Sequence, residues 1–309
     1  MELYQLEAFE AIVLHGSFTK AAEALHLTQP AVTRQIASLE AELRTPLFDR
    51  LGRSVRMTTA GEALHRYAAH IVRLAHEARY AVADVNAGNA GRIALGASST
   101  LATYVLPHLL RDFRHSHPRV EIAIQTGISA QILEQVRAGE TDIALVTGDI
   151  QDALLVVSYL SDYETCVVVP PGHPLANRET VSASELAGNP LILMETGTNL
   201  RTYVDRLLNT AGVGEQVAME LDNVEAIKRM IEAELGISML PEVAVRTEVA
   251  DGRLRALKLT DVPRAKRRIA LVYRRDKYLS LTLKAFMELL IQRLQTGSRE
   301  KSPGSSQTS

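Results

Sequence analysis

The 309-residue sequence contains one cysteine, Cys166, which excludes an intrachain disulfide and a cysteine-rich metal site. It has no apolar run long enough to cross a bilayer, and its first residues lack the basic and apolar segments of a secretory signal. Its formal net charge is only -2, so the chain as a whole has no electrostatic attraction to nucleic acid. We therefore expect a cytoplasmic protein without membrane contact, in which any phosphate binding comes from local basic clusters.

Motifs of the common enzyme classes are also missing. No glycine-rich phosphate loop follows a predicted strand, the nine histidines lack metal-ligand spacing, and nothing around Ser98 and Ser99 would activate a nucleophile. Cys166 lies in an apolar run (TCVVV), which favours a buried, inert strand residue over a reactive thiol. The sequence therefore predicts no catalytic residue, no metal and no cofactor, with an enzyme kept as an alternative because α/β cores often carry chemistry.

Residues 17–40 (SFTKAAEALHLTQPAVTRQIASLE) predict two short helices separated by a tight turn, which is a helix-turn-helix. We expect Ser17 and Thr28 to cap the two helices by accepting hydrogen bonds from their first N–H groups. We also expect Leu25 and Leu27 to fill the seam between the helices. This short segment is the most informative part of the sequence.

The second of these helices has one apolar side and one polar side. Val32, Ile36 and Leu39 recur at three- and four-residue steps and mark the buried side. The outward positions combine hydrogen-bonding side chains with an apolar wedge at the helix N-terminus, which suits insertion into a DNA major groove. These positions are Gln29, Pro30, Thr33 and Arg34. An ordinary helical hairpin with a solvated polar face is the alternative.

A polar segment at residues 51–57 (LGRSVRM) predicts a β-wing, and it lies within a local cluster of basic residues. Such a cluster supplies the positive charge for phosphate that the whole chain lacks. Its members are Arg44, Arg50, Arg53 and Arg56. The helix-turn-helix is therefore predicted to be of the winged type.

One long helix is predicted next, because Thr59 and Glu62 resemble a capping box and no turn signal appears before residues 86–91. At 1.5 Å per residue it would be about 40 Å long. Its apolar residues fall seven apart in two sets, Leu64, Ile71, Ala78 and Val85 in one and Tyr67, Leu74 and Ala81 in the other. This heptad pattern predicts packing against the same helix of a second chain. Packing across the C-terminal domain is the alternative.

Strands and helices alternate after Gly91, which predicts a parallel sheet. Two sets of these elements indicate two lobes, with a strand at 268–273 and a helix at 279–294 returning to the first lobe. A helix is predicted over 101–115, and the tail from Thr296 is predicted to be disordered. The expected domains are 1–58 (winged helix), 59–88 (linker helix), 91–295 (two-lobed domain; first lobe about 91–161 and 268–295, second about 162–267) and 296–309 (tail).

Loops at the carboxyl ends of strands are where an open α/β sheet binds ligands. Here these loops carry hydroxyl groups near helix N-termini, a combination that suits a carboxylate or oxyanion. The candidates are Ser98, Ser99, Thr100, Thr126, Ser129, Thr147, Thr196 and Thr198. The alternative is that each hydroxyl only caps its own helix. Arg201 either pairs with the anion or forms a surface salt bridge, and the basic run 264–268 is predicted to be a solvated loop rather than a second nucleic-acid site.

The chain resembles the LysR-type transcriptional regulators, and the resemblance extends from residue 3 to about 294. It is carried by residues 16–22 (GSFTKAA), 27–36 (LTQPAVTRQI), Leu39 and Glu40, 46–50 (PLFDR), Arg53 and 58–61 (TTAG), and less specifically by 91–96 (GRIALG) and 235–241 (LGISMLP). Two positions depart from the family pattern. Met57 stands where leucine is usual, and Glu234 stands where glycine is common.

The resemblance implies a winged helix, a dimerising linker helix and a two-lobed α/β effector domain similar to periplasmic binding proteins. It implies that Gln29, Pro30, Thr33 and Arg34 face the DNA groove and that Arg50 and Arg53 approach phosphate or the minor groove. The expected partners are double-stranded DNA, a small-molecule effector, a second copy in a homodimer or a homotetramer (a dimer of dimers), and RNA polymerase. A transport-type solute-binding protein and a redox-sensing regulator are weaker alternatives, because of the fused helix-turn-helix and the single cysteine.

Overall fold

The computed structural model describes residues 1–49, 55–86, 90–214, 217–260 and 267–299. The chain forms two compact units, of which the first comprises residues 1–90, 137–140 and 278–280 and the second comprises the remainder. No helix within the described ranges is long and apolar enough to span a membrane.

In the part of the first unit that the structure describes, four helices and two antiparallel strands surround one core. The helices are α1 (Leu3–His15), α2 (Phe18–Ala24), α3 (Gln29–Leu43) and α4 (Thr59–Asn86), and the strands are β1 (Phe48–Asp49) and β2 (Arg56–Met57). Phe9, Ile36 and Leu39 are fully buried in this core, and the Phe9 and Phe48 ring centroids lie 5.1 Å apart. The winged helix-turn-helix fold is confirmed.

The helix boundaries follow local chemistry, with two differences from expectation. Ser17 caps α2 as predicted, its hydroxyl accepting a hydrogen bond from the Lys20 N–H at 3.4 Å. Thr28 occupies the N-cap position of α3 but makes no side-chain cap bond. The cap of α4 is Thr58 rather than Thr59, because the Thr58 hydroxyl accepts the Gly61 N–H at 3.0 Å.

Two predicted leucine roles in the first unit were wrong. Leu25 packs against the core, but Leu27 is 42% exposed and does not fill the seam. Leu64 packs partly buried against the core of its own unit, so it does not belong to an exposed seam. The rest of the described pattern on α4 is exposed, with Tyr67 at 68% and Leu74 at 50%.

The second unit is the two-lobed α/β part of the chain. The strands of lobe 1 are β3 (Ala90–Ser98), β4 (Arg119–Gly127), β5 (Ile143–Thr147), β6 (Leu155–Tyr163) and β13 (Arg267–Arg274), and its helices are α5 (Ser99–Tyr104), α6 (Leu106–Ser116), α7 (Ser129–Ala138) and α11 (Leu281–Arg299). The strands form a five-stranded sheet in the order β4-β3-β5-β13-β6.

The strands of lobe 2 are β7 (Thr165–Val169), β8 (Thr180–Val181), β9 (Leu191–Met194), β10 (Val217–Leu221), β11 (Ser238–Pro241) and β12 (Arg255–Leu259), and its helices are α8 (Asn199–Thr210), α9 (Val224–Glu232), α10 (Glu242–Ala250) and a 3-10 turn (Ala183–Leu186). The strands form a four-stranded sheet in the order β11-β7-β12-β8 and a parallel pair, β10-β9. A large apolar cluster surrounds the fully buried Val167, Val168 and Val169.

The parallel sheet predicted for the alternating strands and helices is found in part, because the sheet of lobe 1 is mixed. In lobe 1, β3 and β5 are parallel, but β13 pairs antiparallel with both β5 and β6. This mixed sheet arises because β13 returns from lobe 2 and enters lobe 1 from the opposite end. The return of this strand and of α11 to lobe 1 agrees with the sequence prediction.

Two helix boundaries also differ from expectation. The helix predicted over 101–115 is divided into α5 and α6, because Pro107 lies in the first turn of α6, has no N–H to donate to the Thr103 carbonyl four residues earlier, and has a ring that clashes with that carbonyl. At the C-terminus α11 continues to Arg299, so residues 296–299 of the predicted tail are helical. Residues 300–309 of that tail lie outside the described residues.

Candidate functional site

The predicted DNA-contacting residues lie on the solvent-facing first turns of α3. Gln29, Pro30 and Arg34 are exposed and Thr33 is half-buried, whereas Val32 and Ile36 are fully buried. The Gln29 side-chain amide donates to the Thr33 hydroxyl at 3.1 Å, so its orientation is already restrained. A hydrogen-bonding surface at a helix N-terminus is the geometry with which helix-turn-helix proteins contact base edges.

The α3 N-terminus has no side-chain cap. Thr28 is exposed and its hydroxyl does not cap the helix, whereas its backbone carbonyl accepts the Ala31 N–H at 2.9 Å. Arg50 and Arg53 lie outside the described residues. The strands β1 and β2, which flank that segment, pair as a wing requires.

The predicted effector residues occupy the carboxyl ends of lobe 1 strands and the start of α8. Ser99 donates from its hydroxyl to the Gly127 carbonyl at 3.4 Å, which links the ends of β3 and β4. Ser98, Ser129, Thr147 and Thr198 are buried, Thr100 is half-buried, and Ser99, Thr126 and Thr196 are exposed.

Thr198 caps a helix with its hydroxyl, whereas Ser98 does not. The Thr198 hydroxyl accepts the Arg201 N–H at 3.2 Å and donates to the Glu195 carbonyl at 3.0 Å, so this hydroxyl caps α8. Ser98 occupies the N-cap position of α5 without a cap bond. Its hydroxyl is enclosed and has no hydrogen-bond partner among the described residues. Since buried hydroxyls are normally hydrogen-bonded, Ser98 is the stronger ligand candidate.

Arg267 is the functional candidate that the sequence analysis missed. It is 7% exposed, and its guanidinium donates to the Thr147 hydroxyl at 2.9 Å. From lobe 2, the Asn199 amide donates to the Thr147 backbone carbonyl. The end of β5 is therefore contacted both by a buried cation and by the first residue of α8.

Tyr203 belongs to the same region, since its half-buried ring lies on the first turns of α8. Burial raises the pKa of the Tyr203 hydroxyl above its usual value, and the nearby positive charge of Arg267 partly opposes that rise. Arg267 and Tyr203 are therefore within electrostatic range of each other. A buried guanidinium beside hydroxyl groups is a site that a planar carboxylate can fill.

Two arginines differ from expectation. Arg201 forms salt bridges, with Asp205 at 2.6 Å and Glu220 at 2.7 Å, as the second of its two alternatives predicted. The bridges are not at the surface, because Arg201 is only 5% exposed. The run 264–268 was predicted to be a solvated loop, but Arg267 begins a strand and is buried; residues 264–266 lie outside the described residues. Arg268 pairs with Asp149 at 2.5 Å.

Cys166 is an inert core residue, as predicted. It is 5% exposed, and its thiol lies 3.5 Å from the Leu240 carbonyl, to which it donates. Burial, with a smaller contribution from the Glu242 charge, raises the pKa of the Cys166 thiol to about 12. Because the thiolate is the reactive form, a redox-sensing role for this residue is disfavoured.

An exposed recognition helix with a wing, joined to a two-lobed α/β part of the chain, defines a helix-turn-helix transcription regulator with a ligand-binding domain. Two family models match this division: "Bacterial regulatory helix-turn-helix protein, lysR family" at residues 3–62 and "LysR substrate binding domain" at residues 86–295. The chain therefore belongs to the LysR family of transcriptional regulators.

Individual proteins support this assignment over nearly the whole chain. "Probable RuBisCO transcriptional regulator" of Emiliania huxleyi is 32% identical over 300 residues, which cover 94% of this chain and 95% of that protein. "Uncharacterized HTH-type transcriptional regulator YwqM" of Bacillus subtilis (strain 168) is 36% identical, covering 94% of this chain and 98% of that protein. The solved structure of a full-length OxyR variant from Pseudomonas aeruginosa has a TM-score of 0.77 at 25% identity and covers 99% of each chain.

Proposed function

We propose that this regulator binds its operator in a sequence-specific manner and is controlled by a small anionic metabolite held between lobe 1 and lobe 2. The DNA-binding half of the proposal is supported by the exposed Gln29, Pro30 and Arg34 on the first turns of α3. Side chains of this kind contact base edges, whereas backbone phosphates are contacted by cations and helix N-termini. Arg50 and Arg53 are proposed to supply the phosphate or minor-groove contacts.

We further propose that α4 pairs with its copy in a second chain. Tyr67, Ile71 and Leu74 are 68%, 39% and 50% exposed, which leaves an apolar stripe without cover on a 28-residue helix. A homodimer covers this stripe and presents two recognition helices to two half-sites. We also propose that two dimers assemble into a tetramer, that the regulator contacts RNA polymerase, and that it acts in the cytoplasm.

The observation that carries the effector half is the buried Arg267 guanidinium bonded to the Thr147 hydroxyl at the carboxyl end of β5. Ser98, with an enclosed hydroxyl on the neighbouring strand, is a natural second donor. The proposed contacts further include Ser99, Thr100, Thr126, Ser129 and Thr147 from lobe 1 and Thr196, with the capped N-terminus at Thr198, from lobe 2. The positive charge of Arg267 and these hydroxyl donors together favour a ligand that carries a carboxylate or a related oxyanion.

The adjacent arginines provide a matched test of this site. Purified protein is screened by thermal unfolding against small mono- and dicarboxylates, sulfate and phosphate, since a ligand that binds only the folded state raises Tm. The dissociation constant of the most stabilising anion is then measured for the parent, Arg267→Gln and Arg268→Gln. Because a hydrogen bond to a charged group contributes about 1.5–3 kcal/mol, we expect Arg267→Gln to weaken binding at least tenfold.

Arg268→Gln serves as the control because Arg268 pairs with Asp149 and stacks over the Tyr159 ring. It should bind the anion as the parent does. Equal affinity in Arg267→Gln, or the same loss in both variants, contradicts the proposed site. A screen in which no anion stabilises the parent contradicts an anionic effector.

A further inference from the structure

Lobe 1 and lobe 2 meet at the C-terminal end of α5, away from the proposed effector residues at its other end. The Tyr104 hydroxyl, in lobe 1, donates to a Glu225 carboxylate oxygen of lobe 2 at 2.5 Å. The Tyr104 side chain also packs against the apolar core of lobe 2. One tyrosine therefore makes both a charge-assisted hydrogen bond and an apolar contact across the two lobes.

A buried lysine lies behind this contact. The Lys228 ammonium is 5.1 Å from the centroid of the Tyr104 ring, and its side chain is 4% exposed. It pairs with Glu225 at 2.7 Å and with the buried Glu248 at 2.8 Å, and it donates to the Ala244 carbonyl at 2.9 Å. These bonds hold Lys228 and Glu225 in place within lobe 2, so the partner of Tyr104 is preorganised.

We propose that Tyr104, Glu225 and Lys228 form a latch that keeps the two lobes together in the absence of effector. Separation of the lobes breaks the Tyr104–Glu225 bond and removes the Tyr104 ring from Lys228, whereas the ion pairs within lobe 2 survive. The contact therefore favours the closed arrangement specifically and not the fold of either lobe.

The position of the latch gives it a regulatory consequence. Tyr104 ends α5, and Ser99 and Thr100 begin it, so the six-residue helix spans only about 9 Å. A ligand that contacts the first turn of α5 and shifts this rigid helix also shifts Tyr104 relative to Glu225. The latch therefore sets the fraction of molecules that are closed before the ligand binds. This fraction changes the apparent affinity for any ligand that prefers one arrangement of the lobes.

The test measures lobe separation directly and requires no effector. Spin labels are attached to Lys284→Cys in lobe 1 and Arg206→Cys in lobe 2, both exposed positions. Cys166 stays unlabelled because it is buried and its thiol pKa is raised to about 12. Labelled chains are mixed with an excess of unlabelled protein, so that distances within one chain are measured by pulsed electron spin resonance.

Tyr104→Phe removes the hydroxyl and keeps the ring, and Glu225→Gln removes the charge. Tyr104→Phe loses a hydrogen bond to a charged group and should raise the ratio of open to closed protein about tenfold or more. Glu225→Gln keeps a neutral acceptor oxygen, so the hydrogen bond is weakened and the ratio should rise by less. We expect each variant to show a second distance population that is minor in the parent, and the double variant to add little to Tyr104→Phe. Tyr159→Phe is the matched control, because the Tyr159 hydroxyl accepts the Ile150 N–H at 2.9 Å within lobe 1.

A parent-like distance distribution in both Tyr104→Phe and Glu225→Gln overturns the latch, and so does an equal change in Tyr159→Phe. If Tyr104→Phe loses its cooperative thermal transition, Glu225→Gln decides the question alone, since the Glu225 side chain is 45% exposed and tolerates the change. Failure of this test leaves the Arg267 experiment unaffected, because the two measure different properties.

Discussion

Glu234 has a backbone conformation that side chains with a Cβ rarely adopt. Its φ is +60°, and it follows α9 in a tight helix end in which the Glu234 N–H donates to the Ile231 carbonyl at 2.9 Å and the Leu235 N–H to the Met230 carbonyl at 3.1 Å. Glycine is the usual residue at such a position. The family departure noted in the sequence therefore has a structural consequence, which is local strain.

Glu234→Gly is expected to stabilise the protein. Left-handed geometry costs a residue with a Cβ about 1–2 kcal/mol, and the flexibility of glycine in the unfolded chain offsets about 0.4–1 kcal/mol of that. We expect a net increase of about 0.5–1 kcal/mol in the free energy of unfolding, measured by urea denaturation. Glu234→Ala keeps the Cβ and should give no such gain. If both variants are stabilised to the same extent, the cause is the loss of the carboxylate and not the relief of backbone strain.

Gln29→Ala and Arg34→Ala are expected to weaken binding to the cognate operator by about 1–3 kcal/mol each, because their exposed side chains can contact base edges. Selectivity against operators with single base changes should fall at the same time. The measurement is fluorescence anisotropy at one fixed salt concentration, since protein–DNA affinity depends strongly on salt.

The control for these two variants is Glu42→Ala, at the far end of α3, about 20 Å along the helix from Gln29. It should retain operator affinity within a few tenths of a kcal/mol. If Gln29→Ala has the affinity and selectivity of the parent, the first turn of α3 does not contact the bases.

At the scale of elements, the exposed stripe on α4 makes a prediction about assembly. Leu74→Asp places a carboxylate in the middle of the proposed helix-to-helix contact, where burial of an unpaired charge is costly. We expect sedimentation velocity to show dissociation toward the monomer, with operator affinity falling in parallel because two half-sites are then no longer bound together.

Leu154→Asp is the matched control for Leu74→Asp, since Leu154 is a comparably exposed leucine, at 67%, outside α4. It should sediment as the parent does. An intact oligomer in Leu74→Asp would mean that α4 does not form the principal contact between chains.

The elements also show what could be read from the sequence and what could not. Gln29, Val32 and Ile36 could be assigned because the face of one helix depends on spacing alone. Arg267 could not, because its burial depends on β13 entering the sheet antiparallel to β5 after a crossing from lobe 2. Leu64 fits the heptad pattern equally well as a dimer contact or as a core residue, and periodicity does not distinguish the two.

Contacts between lobes were the least predictable feature. Tyr104 and Glu225 are 121 residues apart in the sequence, and nothing near either residue indicates the other. The same holds for the Asn199 amide and the Thr147 carbonyl. Local patterns therefore identify the elements and their faces, whereas residues that join lobes emerge only from the fold.

At the scale of the whole molecule, regulation requires that ligand binding and operator binding be coupled yet separable. A ligand shifts a protein between arrangements only by as much as it prefers one of them. Couplings of about 1–3 kcal/mol correspond to a roughly five- to 150-fold change in affinity at the other site. The proposed effector contacts begin α5 and the proposed latch ends it, so a change on this helix should alter the ligand response without altering the DNA surface.

Thr100→Val tests this separation, because it nearly keeps the shape of the half-buried side chain and deletes its hydroxyl. We expect operator affinity without ligand to stay within about twofold of the parent, while the shift in operator affinity produced by the anion selected in the thermal screen is largely lost. Thr103→Val is the control on the same helix, since the exposed Thr103 donates to the Ser99 carbonyl at 2.9 Å; it should keep the full response. If calorimetry gives the same affinity for the anion in Thr100→Val as in the parent, the ligand does not contact the first turn of α5, and coupling through this helix is wrong.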